Sequence, residues 1–186
     1  MNIKHILTEV TKVARKIKAK DLNLIIMRIE NSKRIYLVGE GRSGLVAKSF
    51  AMRLARLGKL VYVVGETVTP QISEGDLLIA ITGSGETKTV LETVKIFRVL
   101  KGNVICISAQ ADSAIVRISH ESIIVPTKLP KRIGHVYQLR ELVGVPERPP
   151  LASTFELATL IFLEAVAFKL EHRWQKRNRR KQLLPS

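Results

Sequence analysis

Asp76-Leu77-Leu78-Ile79-Ala80-Ile81-Thr82-Gly83-Ser84-Gly85-Glu86-Thr87 is the stretch that decides the fold. Its run of Leu, Ile and Ala has no polar face, so it predicts a strand covered on both sides, as in a parallel sheet. The run breaks into glycines and hydroxyls, and Val90, Val94 and Phe97 then follow at helical spacing. A strand that ends in such a turn and leads into a helix is part of a βαβ unit.

The same texture recurs on both sides. Short apolar runs at Ile35 to Val38, Leu60 to Val64, Val104 to Ile107 and Ile123 to Val125 are further strands. Val46, Phe50, Leu54 and Leu57 mark a helix after the first, and Ala114, Ile115 and Ile118 a shorter one before the last. Alternation of this kind predicts an α/β fold, a three-layer α/β/α sandwich around a five-stranded parallel sheet of order 2-1-3-4-5. Two N-terminal helices, Ile3 to Ile17 and Leu22 to Ile29, lead into it. Pro126 to Pro150 holds five prolines and reads as a long loop with one short helix near Val136 to Leu142. From Ser153 to about Trp174 a helix carries apolar residues around most of its circumference, which predicts a subunit interface.

At 186 residues the chain fits one domain. It divides into N-terminal helices (1–33), α/β core (34–125), loop (126–150), C-terminal helix (151–175) and a basic tail (176–186), expected to be loosely held. A hydrophobic content of 46% with 25% charged residues is that of a folded globular chain. The single cysteine, Cys106, lies in an apolar run and reads as a buried structural thiol. The N-terminus has no signal-peptide core, and the apolar stretch Leu157 to Leu170 is interrupted by Glu164 and Lys169 and falls short of the roughly 20 residues that span a bilayer. The expectation is a soluble cytoplasmic protein with no membrane partner. Its 31 Lys plus Arg against 16 Asp plus Glu, a net charge of +15, favours anionic ligands.

Two glycine-rich turns could take such a ligand. The first, Gly39-Glu40-Gly41-Arg42-Ser43-Gly44, follows strand one and matches the dinucleotide pattern G-x-G-x-x-G, with Glu66 where a ribose-binding carboxylate would stand. Arg42 and Ser43 inside the turn, and a chain with no room for a second catalytic domain, count against a nucleotide. A bare packing turn is also open. The second turn, Thr82 to Thr87, combines helix-start N–H groups with three hydroxyls, either as an anion cradle or as a helix cap with Thr87 or Ser84 as N-cap. In a 2-1-3-4-5 sheet both turns flank the point where the connections reverse, so they converge on one crevice suited to a sugar phosphate.

These segments, with Ala47 to Leu54, Val64-Gly65-Glu66-Thr67, Thr69-Pro70 and Thr154-Phe155-Glu156, resemble the sugar isomerase (SIS) domain family from about Ile35 to Leu163. Within it they are most similar to the 6-phospho-3-hexuloisomerases of archaea and methylotrophic bacteria. The resemblance implies conversion of 3-hexulose 6-phosphate to fructose 6-phosphate through a cis-enediol, in the ribulose monophosphate pathway, with neither organic cofactor nor metal. It implies Glu156 as base with Arg42 beside the sugar, Gly41 and Ser43 also contacting substrate, and Thr82, Ser84 and Thr87 around the phosphate. It also implies a homo-oligomer, dimer or tetramer.

Glu156 has a second reading as the acid of a capping box Ser153-x-x-Glu156. The chain departs from the family at Pro150-Leu151-Ala152-Ser153, where Pro-Met-Gly is usual, and lacks the family's C-terminal histidine element. His172 falls too early to replace it and reads as a solvated helical residue, whereas His135 lies in the basic loop, placed to cover the pocket. A non-catalytic or divergent sugar-phosphate-binding protein is the alternative. A regulator of this fold carries a DNA-binding domain in front, for which about 33 residues are too few. Lys176, Arg177, Arg179, Arg180 and Lys181 could bind phosphates of any polyanion, but with only Trp174 as an aromatic platform nucleic acid is not the expected partner.

Overall fold

In the computed structural model, which describes residues 2–127 and 151–182, five parallel strands lie in the order β2-β1-β3-β4-β5. The elements are α1 (Ile3–Ala14), α2 (Ala19–Asn31), β1 (Ile35–Val38), α3 (Gly41–Arg56), β2 (Val61–Val63), β3 (Leu77–Thr82), α4 (Lys88–Val99), β4 (Asn103–Ser108), α5 (Ala114–Ile118), β5 (Glu121–Ile124) and α6 (Leu151–Gln182). The short helix expected near Val136 to Leu142, and most of the loop around it, lie outside the described residues.

The two-residue period of a strand explains the layers. Leu37, Ile79, Ile81, Ile105 and Ile107 point to one face and pack with α1, α2, α3 and α6. Their neighbours Tyr36, Val38, Leu78, Ala80, Val104 and Cys106 point to the other and meet Val90, Val94 and Phe97 of α4 and Ile115 of α5. β1 and β3 are buried along their whole length, as a two-faced apolar run requires. Both layers meet there, so β3 is the axis of the core.

The edges differ from the expected spans. Leu60 and Val64 fall just outside β2, though each still hydrogen-bonds β1, through Ile35 N–H to Leu60 O and Val64 N–H to Leu37 O, both 2.9 Å. β5 starts at Glu121, earlier than its apolar run, because Glu121 is paired with Ile105 and its carboxylate accepts from the Arg28 guanidinium. Polar residues at a sheet edge pair as well as apolar ones.

α6 buries Phe155, Ala158, Phe162, Leu163, Val166, Ala167 and Leu170 along one stripe. Each large side chain there contributes about 1.5–3 kcal/mol. Arg53 meets Glu164 at 3.1 Å and Arg173 meets Glu30 at 2.8 Å, so α6 runs alongside α3 and reaches α2. It begins two residues before Ser153, which therefore lies inside the helix and is not its N-cap. It also continues through Lys176 to Lys181, so these basic residues extend the helix instead of forming a loose tail. Gln, Lys and Arg are good helix formers, and no Gly or Pro interrupts them before Pro185. Among the described residues no helix is long and apolar enough to cross a membrane.

At the end of the sheet away from the turns, Asp76 is fully buried and receives two hydrogen bonds from Arg34, at 3.1 and 2.7 Å, and one from Ser73 N–H at 2.8 Å. At the same end, His120 Nδ1 accepts from Val104 N–H at 3.0 Å, and its Nε2 touches the Arg98 guanidinium. Burial holds the His120 pKa below the ordinary value; Arg98 and Arg28 act in the same sense and Glu121 opposes. The folded chain thus resists the proton that the unfolded chain accepts. This contribution to stability is present above the unfolded pKa of about 6.5 and is lost as pH falls through it toward the depressed folded value. The expected result is a thermal midpoint that falls between about pH 7.5 and about pH 5.5, with a shallower fall in His120→Asn. Equal slopes in the two proteins would remove His120 from the account.

Candidate active site

Both glycine-rich turns lie at the carboxyl ends of neighbouring strands, β1 and β3. The first is built by close approach. A Cβ on Gly39 would lie 2.8 Å from the backbone of Ser43, and one on Gly44 would lie 2.8 Å from Gly39 O. Only glycine lets α3 start this close to the end of β1. Gly41 and Arg42 open the helix, with Ser43 buried behind them.

Arg42 reaches across to α6, where its Nη2 lies 3.9 Å from Glu156 Oε1. The Glu156 side chain is 14% exposed and that of Arg42 is 41% exposed. The fold therefore gathers the first turn and the acid of the last helix, far apart in sequence, at one edge of the sheet. Phe155 and Ala158, both fully buried, fix the height of Glu156 on α6.

The second turn is braced from inside. Thr82 Oγ1 receives Gly85 N–H at 3.1 Å and lies 3.2 Å from Thr87 Oγ1, and both threonines are buried. Ser84 Oγ accepts from Glu86 N–H at 3.3 Å. Thr87 is the N-cap residue of α4, but its side chain makes no cap bond because the hydroxyl faces Thr82. The first N–H groups of α4, which starts at Lys88 directly after the turn, have no intrahelical partner. Gly85 and Glu86 N–H are used within the turn, which Thr82 and Thr87 shape.

Sequence reasoning missed the outer supports. Glu86 Oε1 accepts from Ala114 N–H at 2.7 Å, Gly85 O from Ile115 N–H at 3.1 Å, and Gly83 O from Ala109 N–H at 3.1 Å. α5 and the end of β4 thereby hold the turn rigid. Thr89 of α4 donates to Glu40 of the first turn at 2.6 Å. No local pattern announces such links, because they join segments that only the sheet order makes neighbours. Glu66, the ribose-binding candidate of the dinucleotide reading, is half exposed and paired with Lys48 at 2.7 Å.

Cys106 sits fully buried in β4, and burial pushes its thiol pKa up to about 12. The thiolate is the reactive form, so a neutral-pH disulfide reagent should label the native chain far more slowly than the denatured one. Equal labelling rates would place the thiol at the surface.

A doubly wound parallel domain with two glycine-rich turns at its switch point is the class this architecture defines. The chain belongs to the SIS domain family, which matches residues 28–134. A Bacillus subtilis (strain 168) protein named 3-hexulose-6-phosphate isomerase is 34% identical over 90% of this chain and 86% of its own length. A Methanocaldococcus jannaschii protein of the same name is 36% identical over 82% of this chain and 75% of its own. Among solved structures, a hypothetical protein from Methanococcus jannaschii, whose structure infers a molecular function of 3-hexulose-6-phosphate isomerase, aligns with a TM-score of 0.73 at 33% identity. That alignment covers 90% of this chain and 88% of that one.

Proposed function

We propose that the chain is a phosphosugar isomerase that converts 3-hexulose 6-phosphate to fructose 6-phosphate, with Glu156 as the base. The observation that carries this reading is the meeting of Glu156 and Arg42 beside the two turns in a SIS domain. The relatives named for this reaction support the choice of substrate.

The phosphate rests on the turn Thr82 to Thr87 and the first N–H groups of α4, with Ser84 at its side. The sugar extends toward Gly41, Arg42 and Ser43. Glu156 takes the proton from C2, the electrons of that C–H bond form the enediol double bond with C3, and the C3 carbonyl oxygen becomes an enediol oxygen facing Arg42. Return of the proton to C3, with transfer of the O2 proton to O3, leaves the ketone at C2 and a hydroxyl at C3. A positioned base contributes about 10²–10⁴-fold and a donor on the developing oxyanion about 10²–10³-fold, so two groups supply much of the rate without metal or organic cofactor.

The same reading makes the chain a single-domain cytoplasmic enzyme of the ribulose monophosphate pathway, working as a dimer or tetramer. Leu157, Ile161 and Phe168 on α6, which are 38%, 51% and 68% exposed, support a subunit interface there. The deciding experiment offers 3-hexulose 6-phosphate to the purified protein and follows fructose 6-phosphate. Turnover is the expected result; tight binding of fructose 6-phosphate without turnover would instead make it a sugar-phosphate-binding protein.

A further inference from the structure

The two glycine-rich turns are tied by a hydrogen bond that neither needs for its own conformation. Glu40 is the N-cap residue of α3, yet its side chain makes no cap bond to that helix. It crosses to α4, where Oε1 accepts from the Thr89 hydroxyl at 2.6 Å. Thr89 is the second residue of α4, so a carboxylate is held against the end of the helix that favours negative charge. Any phosphate on the second turn shares that helix end with it.

The charges around the crevice sharpen the point. Arg42 faces Glu156 at 3.9 Å and Lys48 pairs with Glu66 at 2.7 Å. Lys88, the first residue of α4, is exposed to solvent. Among the described residues, the partner of the Glu40 carboxylate is a neutral hydroxyl, so its charge is uncompensated by that contact. A ligand that spans from the second turn to the first must pass it. A sugar hydroxyl meets Glu40 as a hydrogen-bond acceptor, and such charge-assisted bonds are the stronger kind. A second anionic group meets repulsion within the Debye length, where salt screens it only partly.

We infer that Glu40 is a specificity-determining residue: its carboxylate, fixed across the crevice by Thr89, restricts the ligand to a single phosphate on a neutral polyol and disfavours sugar phosphates with a second anionic group. Discrimination of this sort needs a repulsive element as well as attractive contacts, and Glu40 supplies it. The inference rests on the sugar-phosphate reading given above and adds the charge class of the substrate.

The test is calorimetric titration of the wild type, Glu40→Gln and Thr89→Val with fructose 6-phosphate and fructose 1,6-bisphosphate at one ionic strength. The wild type should prefer the monophosphate by about tenfold or more, a difference of about 1.4 kcal/mol. Glu40→Gln keeps the size of the side chain and an acceptor oxygen, and should lose most of that preference by binding the bisphosphate more tightly. Thr89→Val leaves the charge but releases the side chain, and should lose part of it. A wild-type circular dichroism spectrum and thermal midpoint show that each variant is folded, independently of any change in fructose 6-phosphate affinity. A wild type that binds both ligands equally, or a Glu40→Gln variant that shifts both by the same factor, overturns the inference. Failure of the wild type to bind either sugar phosphate overturns the underlying functional reading instead.

Discussion

Replacing Glu156 by Gln is expected to lower turnover of 3-hexulose 6-phosphate by about 10²–10⁴-fold while leaving the affinity for fructose 6-phosphate nearly unchanged. The amide has the size of the carboxylate but cannot accept a proton, so the substitution removes the base and little else. The helix around it should not move, because Phe155 and Ala158 on either side are fully buried and set the position of α6 against the core. The Arg42–Glu156 ion pair at 3.9 Å is lost, but at that distance, with the Arg42 side chain 41% exposed, it contributes little. Two measurements on the same preparations check this: the initial rate of fructose 6-phosphate formation, and its binding by titration. A rate within a few-fold of wild type would make Glu156 a structural acid; loss of binding along with rate would place it in the ligand contacts instead of the chemistry.

The competing assignment for Glu156 was a capping box with Ser153. The backbone removes the cap, because α6 has already begun at Leu151 when it reaches Ser153. The proposed role does not follow from that alone; it draws support from the position of Glu156 next to Arg42 at the edge where both turns end.

Much of the fold was legible because its strands are buried on both faces. Leu77 to Ile81 and Val104 to Ile107 have no polar residue to hide their position, and each glycine turn marks where a strand ends. Legibility failed where burial is partial. Glu121 and Ser122 are strand residues that look like a loop, and the basic end of α6 is a helix without an apolar stripe to announce it. The site divides in the same way. Gly39 to Gly44 and Thr82 to Thr87 could be read as turns from their own residues, whereas the bonds from Glu86 to α5 and from Thr89 to Glu40 exist only after the sheet brings distant segments together. The threonines of the second turn show the limit most clearly. Their hydroxyls read as ligand donors in the sequence, but in the fold they first serve each other and Gly85.

That internal bracing makes Gly85 the position where one methyl group should do the most damage to the turn. Its φ of +67° lies in the left-handed region, where a side chain costs about 1–2 kcal/mol. A Cβ there would also stand 1.9 Å from Ser113 Oγ and 2.4 Å from Ser113 Cβ. The hydroxyl can rotate away, but the Ser113 Cβ cannot, so the backbone of one segment has to shift. Overpacking of this kind costs about 1–3 kcal/mol more. The shift would strain the bond from Gly85 N–H to Thr82 at 3.1 Å and that from Ile115 N–H to Gly85 O at 3.1 Å, two of the bonds that hold the turn to its strand and to α5. Gly85→Ala should therefore lose about 2–5 kcal/mol of unfolding free energy and, where it remains folded, bind fructose 6-phosphate more weakly. Adding Ser113→Gly removes the atoms in collision without changing φ, so the double variant should recover the steric part and keep the rest. Denaturant unfolding of the wild type, the single variants and the double variant separates the two terms. If Ser113→Gly restores nothing, the crowding against α5 is not what requires glycine at this position.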